Sequence, residues 1–422
     1  MKKNTFAFAI VFSLGLFCCS CNDGQSIVTP TATSTVQESS TPTIHVNPTP
    51  TFTPTPKNTS VENSGLITTL GETVNRQGWW TAIPAFSPDG KMIALASDRV
   101  RLWNTQSHEL IYELEKPYSN CYTENVIFSS DGKLLATSIY CIADSNATGH
   151  VLIWSTENGG LLHDWEQKFS KNTSKLDGVS NIYPTTGIAF LPASSMLAFA
   201  NGNTIEIKNV QQDDNVVVLK LGDEMIASNI AISDDGRFLF AFMDFSYYKT
   251  PNRIAQKYAL QVWDLESRSI REETYFPEPD NTGFFIGHFD VEMKLTDKLL
   301  LNTDYLNETF SVTNLETSNF KNLSYRGDVK TFINQDASYV VYLPKLDGFN
   351  CKNQSIELWE TNANRSLYSF KTSNEDFDSE WCFGPNAIIF SPNNTMLAIA
   401  HEERLSLWNI SNFTKPNEST MP

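Results

Sequence analysis

The chain has 422 residues, 41% of them hydrophobic, with nine Trp and 27 Phe, which is ample for a large core with bulky side chains between sheets. Its formal charge is −17, and removal of residues 1–20, which hold Lys2 and Lys3, leaves 29 basic against 48 acidic residues, near −19. That balance argues against a nucleic-acid partner, because phosphate binding needs a basic surface, and fits an exported chain kept soluble by charge.

Met1–Ser20 reads as an export signal. Lys2 and Lys3 form a positive start, and Phe6–Phe17 is an apolar run too short to span a bilayer comfortably. It ends in Cys18-Cys19-Ser20-Cys21. This resembles the lipobox of bacterial lipoproteins, in which a small residue precedes a Cys that is lipidated and becomes the mature N-terminus. The resemblance implies lipidation at Cys21, a membrane anchor and a location in the cell envelope facing outside the cytoplasm. An ordinary cleaved signal with incidental cysteines is the plainer alternative.

Residues 21–63 read as a linker. Between Thr29 and Pro56 there are ten Thr and six Pro, ending in PTPTFTPTP. Such a stretch cannot bury a core and favours extended, polyproline-like backbone, about 3.1 Å per residue. It resembles the Thr/Pro stalks that hold lipoprotein domains away from the membrane.

From residue 64 to 411 one pattern recurs, and 412–422 is a polar tail. The template is AFSPDGKMIALASDRVRLWN, Ala85–Asn104. A strand ends at Phe86; Ser87-Pro88-Asp89-Gly90 makes a tight turn; Lys91–Ser97 is an apolar strand; Val100–Asn104 is a third strand ending in Trp-Asn. Equivalent turns begin at Ser129, Leu191, Ser233, Leu295, Asn334 and Ser391, giving seven copies. The residue before each is large and apolar (Phe86, Phe128, Phe190, Ile232, Ile333, Phe390) except at Lys294, which follows Met293. The third strands end near Trp103, Trp154, Lys208, Trp263, Thr313, Trp359 and Trp408. Near-continuous apolar second strands, as in Lys133–Ile139 and Arg237–Met243, predict burial on both faces.

These repeats resemble the WD-repeat β-propeller family. The resemblance implies an all-β fold of seven four-stranded blades, 28 strands in all, with the blade Trp residues as packing anchors between sheets. The family's Gly-His dipeptide is largely missing, so its Asp-His-Ser-Trp hydrogen-bonded set is not expected here. The last repeat lacks an outer strand, while GLITTL, Gly65–Leu70, stands alone before the first full repeat. Gly65–Leu70 is therefore expected beside Arg404–Asn409, closing the ring and removing an open edge.

Four cysteines lie in the body: Cys121, Cys141, Cys351 and Cys382. No spacing among them suits zinc, and an exported chain invites pairing. A hairpin symmetric about Asp131 sets Cys121 opposite Cys141. Cys351 and Cys382 fall in loops on one face of successive blades. Two disulfides, Cys121–Cys141 and Cys351–Cys382, are expected, against four buried thiols.

No nucleophile elbow, HExxH, GxGxxG or P-loop is present, and the six His are scattered. Asp376-Phe-Asp378-Ser-Glu380 spaces carboxylates like the start of a calcium loop but lacks the Gly at position six and the Glu at position twelve. A solvated acidic loop is the simpler reading. Asn-x-Ser/Thr sequons such as Asn146 and Asn322 would matter only in a eukaryotic secretory pathway. No cofactor and no metal are expected, and a monomer is. Aromatic residues gather just before the innermost strands: Trp79, Trp80, Tyr122, Tyr183, Phe285 and Trp381. Among them stand Glu124, Asp177, Glu224, Asp280 and Glu380. Either they cap the ends of the blade cores, or they form an aromatic, acidic mouth suited to a sugar or a partner chain. The leading reading is a non-enzymatic binding or scaffold module for a protein, glycan or small ligand. The alternatives are a propeller hydrolase or lyase with its site at the channel mouth, and a purely structural assembly piece.

Overall fold

The computed structural model describes residues 65–71, 82–97, 99–119, 121–143, 146–167, 187–222, 225–244, 256–277, 291–296, 298–304, 309–324, 329–344, 355–371, 387–401 and 404–414. Among them are 28 strands and no helix, in seven antiparallel four-stranded sheets. Together these form a seven-bladed β-propeller. Blade 1 comprises Ile83–Phe86, Met92–Ala96, Val100–Asn104 and Leu110–Leu114. Blade 2 comprises Cys121–Phe128, Leu134–Ala143, Asn146–Ser155 and Leu161–Gln167. Blades 3 to 6 open with Ile188–Phe190, Asn229–Ile232, Val291–Thr296 and Val329–Ile333. Blade 7 comprises Ala387–Phe390, Met396–His401, Arg404–Asn409 and, as its outermost strand, Leu66–Gly71.

The core is divided seven ways, with one apolar cluster in each seam between neighbouring blades. Leu102, Val126 and Trp154 pack between blades 1 and 2. Ile153, Trp165 and Phe199 pack between blades 2 and 3. Leu219 and Trp263 belong to the 3–4 seam, Phe240 and Leu300 to 4–5, Leu301 and Tyr342 to 5–6, Leu358 and Trp408 to 6–7. Leu70, Trp103 and Leu407 close the ring between blades 7 and 1. Trp103, Trp154, Trp263 and Trp408 are buried, so in these four blades the Trp that ends the third strand is a packing residue. Two strand-ending indoles, those of Trp263 and Trp359, find their polar partner two residues back on the same strand. Trp263 Nε1 donates to Gln261 Oε1 at 3.1 Å, and Trp359 Nε1 donates to Glu357 Oε2 at 2.7 Å.

The turn between first and second strands holds its shape by one repeated set of bonds. In blade 1, Met92 N donates to Ser87 Oγ (2.9 Å), Ser87 Oγ donates to Asp89 Oδ1 (2.7 Å), and Lys91 N donates to the same oxygen (3.0 Å). Ser129 and Asp131, and Ser233 and Asp235, repeat it in blades 2 and 4. The Ser129 and Ser233 hydroxyls hold the Asp131 and Asp235 carboxyls below their ordinary range. Gly90, Gly132 and Gly236 take φ near +70° here, which L side chains adopt only with strain.

Blade 5 departs from the expected repeat. Thr296 pairs with Leu299 and Leu295 with Leu300, so two residues separate the strands where blade 1 has five. Leu295 thus occupies the place of Phe86, and the apparent exception at Lys294 was an offset of register.

Blade 2 holds a second irregularity. Next to its turn the pairs are Phe128↔Leu135 and Ile127↔Ala136, half a residue beyond symmetry about Asp131. A β-bulge between Thr123 and Asn125 leaves Glu124 as the extra residue, and beyond it Thr123 faces Ile139 and Cys121 faces Cys141. The Cys121–Cys141 disulfide is present, with both residues buried. The expected pairing is correct, but it comes from a turn off by one and a bulge that restores it. Cys351 and Cys382 lie outside the described residues.

Candidate functional site

The innermost strand of each blade begins on the face that also carries the connections between second and third strands. In blade 2 this beginning is Cys121-Tyr122-Thr123-Glu124. Alternation along the strand divides its side chains between two seams. Cys121 and Val126 pack against blade 1, and the Thr123 hydroxyl donates to Ser97 O of blade 1 at 3.0 Å. Ile127 packs towards blade 3. Tyr122 pairs with Tyr140 across the hairpin, and Tyr122 is half-buried.

Glu124 is the chemically unusual group. It is half-buried at the bulge, and loss of water around it pushes its carboxyl up to about 7. Desolvation is the whole cause, which sets it apart from Glu113, held low by the Arg101 guanidinium. A bulge frees backbone groups from the ladder and re-aims a side chain, and such irregularities gather at functional sites.

The second strand beside Glu124 is also unusual. Register alignment of the blades places Leu95-Ala96, Phe199-Ala200, Ala241-Phe242, Tyr342-Leu343 and Ile399-Ala400 at one pair of positions. Blades 2 and 5 carry Thr137-Ser138 and Asn302-Thr303 there. Thr137 and Ser138 are fully buried, and neither hydroxyl has a hydrogen-bond partner. Ser138 stands directly opposite Asn125, next to the bulge. A buried hydroxyl without a partner costs roughly 1–3 kcal/mol, which the apolar residues at the same positions of blades 1, 3, 4 and 7 avoid. The sequence carried a signal of it: LLATSI is the only template-like second strand with two adjacent hydroxyls, masked by its apolar neighbours.

A different polar group lies in the outer part of the blade 1–2 seam. Tyr118 OH donates to Asp164 Oδ2 at 2.5 Å, and His150 Nδ1 bonds Asp164 Oδ1 at 2.9 Å. The Tyr118 ring lies 4.1 Å from the His150 ring, centroid to centroid. Asp164 pushes the Tyr118 hydroxyl up to about 12, so this phenol stays protonated and donates rather than attacks. The cluster pins the segment entering blade 2 against that blade.

Of the aromatic residues expected at the mouth, Tyr122 is the one the structure describes. Trp79, Trp80, Tyr183, Phe285 and Trp381 lie outside the described residues, as do Asp177, Glu224, Asp280 and Glu380, the Asp376–Glu380 loop, and Cys21 with the leader and stalk. Among the described residues, no three His, Cys, Asp or Glu side chains are placed to hold a metal ion, and no helix is long and apolar enough to cross a membrane.

No protein-family model and no curated protein matches this sequence. Among solved structures, the chain is similar to one from the "Crystal Structure of Mitotic Checkpoint Complex", with a TM-score of 0.50 and 14% identity. The match covers 86% of this chain and 98% of that one. The likeness is one of fold: both chains share the seven-bladed β-propeller architecture.

Proposed function

We propose that the protein is a lipid-anchored binding module of the cell envelope, held off the membrane by its Thr/Pro-rich stalk and recognising a partner with the face on which the innermost strands begin. The observation that carries the recognition half is the polar irregularity at that end of blade 2: a half-buried Tyr122 and a desolvated Glu124 on a bulge of the innermost strand. Propellers hold loops on a rigid frame, and function resides in the loops and the residues beneath them. The anchoring half rests on Lys2, Lys3, the Phe6–Phe17 run and Cys21.

The test uses the full chain with a photo-cross-linking residue at position 122, and at exposed Lys133 on the opposite end of the same hairpin as control. Cross-linking of a discrete partner from 122 and not from 133 is the expected result. Equal products from both, or none from 122, overturns the assignment. For the anchor, the wild-type chain should partition with membranes and Cys21→Ala should not; equal partitioning rules anchoring at Cys21 out.

A further inference from the structure

Resting on that reading, we infer that the bulge of blade 2 is an ammonium-binding position, in which the Glu124 carboxylate, the Ser138 hydroxyl and the Tyr122–Tyr140 pair receive a primary amine. Three features are neighbours there in the strand register. The bulge sets one extra residue, Glu124, into an inner strand. Ser138, fully buried with an unpartnered hydroxyl, faces Asn125 immediately beside it. Tyr122 and Tyr140 are cross-strand partners one step further towards the strand's start.

Each feature supplies one element that an ammonium needs. A carboxylate partly removed from water attracts a cation more strongly than an exposed one. A hydroxyl accepts one of the three ammonium hydrogens. Aromatic faces attract a cation through the ring quadrupole. A cation bound beside Glu124 would offset the loss of water around its carboxylate. An anionic ligand is disfavoured by the same carboxylate, and a neutral polyol would leave its charge unpaired.

The ammonium comes either from a lysine side chain of a partner protein or from a free small amine, and two probes separate these sources. The full chain is titrated at pH 8 with n-butylamine, and separately with a capped Gly-Lys-Gly peptide, following intrinsic fluorescence. n-Butanol and a capped Gly-norleucine-Gly peptide serve as uncharged matches of the same shape. We expect the charged probe of at least one pair to bind about tenfold or more tightly than its neutral match, and Glu124→Gln to abolish that difference. Preference for the peptide identifies a lysine-bearing partner; preference for butylamine identifies a small amine. If Glu124→Gln fails to fold, Ser138→Ala carries the test, with an expected loss of a few-fold for the charged probe alone. Equal binding of charged and neutral probes, no binding of either charged probe, or an unchanged preference in Glu124→Gln overturns the site. A partner that still cross-links at position 122 in that case leaves the binding-module reading standing, so the two failures are distinguishable.

Discussion

Glu124 shows how one residue can set itself apart from a repeat. Its carboxyl is raised from 4.5 to about 7 by loss of water. The folded state therefore binds a proton more tightly than the unfolded chain, and the linkage sign follows. Whatever stability this group contributes is fully present below pH 4.5 and is lost as the pH rises through 7. Glu124→Gln should match the wild type near pH 4.5 and melt at a higher temperature near pH 8. Parallel melting curves across that range would mean the carboxyl is not desolvated. This residue was legible in the sequence only as an acid near aromatics. Its bulge was not, because a bulge is a property of two strands in register, and the alternation of Cys121–Phe128 alone does not reveal where an extra residue sits. Ser138 and Thr137 were hidden for a related reason: inside an apolar run, Thr and Ser read as tolerated strand residues until burial shows that their hydroxyls face no partner.

At the scale of the element, the hairpin of blade 2 combines a turn, a bulge and a cross-link. The Ser-x-Asp-Gly turn was readable because each of its residues has a local task, the hydroxyl and carboxylate capping backbone N–H groups and the glycine taking positive φ. Where the local chemistry weakens, as at Leu295–Lys298, sequence alone placed the turn one residue out; the paired strands, not the turn residues, set the register there. The disulfide lies at the far end of the blade 2 hairpin and closes a span of 20 residues. In the chain-entropy picture such a link contributes about 3 kcal/mol by restricting the unfolded chain. Cys121→Ala/Cys141→Ala should lower the urea midpoint accordingly, and reductant should shift the wild type towards the variant. A wild type whose midpoint ignores reductant, alongside an unaffected double variant, would show that the link carries no stability.

Across the whole molecule, stability depends on a ring that must close on itself. Neighbouring turns touch around one end of the channel. Pro88 Cδ lies 3.8 Å from where a Cβ on Gly132 would stand, Pro192 stands likewise to Gly236, and Pro392 to Gly90 across the closure. Elsewhere polar clips take over: Ala193 N donates to Ser130 Oγ, Lys298 bridges Asp234 and Glu316, Lys321 Nζ reaches Ala337 O, and Asn334 Nδ2 reaches Asn394 Oδ1. Burial lowers the Lys321 ammonium from its ordinary range, a desolvation cost at the 5–6 clip that the nearby Asp336 carboxylate partly opposes. Each blade thus leans on two others, and a ring with one weak joint loses support on both sides of it.

The joint most open to test is the one made by the start of the chain. Leu66–Gly71 pairs with Arg404–Trp408, Asn409 N donates to Gly65 O at 2.7 Å, and Leu70 is buried in the seam between blades 7 and 1. The other side chains of this strand are exposed or half-buried, so its hold comes from backbone pairing and from Leu70. Burying one Leu contributes roughly 1.5–3 kcal/mol, and each backbone bond about 1 kcal/mol net. Deleting residues 65–71 should therefore cost about 3 kcal/mol or more and expose Arg404–Asn409 as an open edge prone to self-pairing. Thr69 faces Ser406 across the joint, their hydroxyl oxygens 3.4 Å apart. Thr69→Cys/Ser406→Cys should lock the ring and raise the melting temperature under oxidising conditions only. A truncated chain that melts with the full-length protein, together with a locked ring that gains nothing, would show that the seventh blade holds without its N-terminal strand.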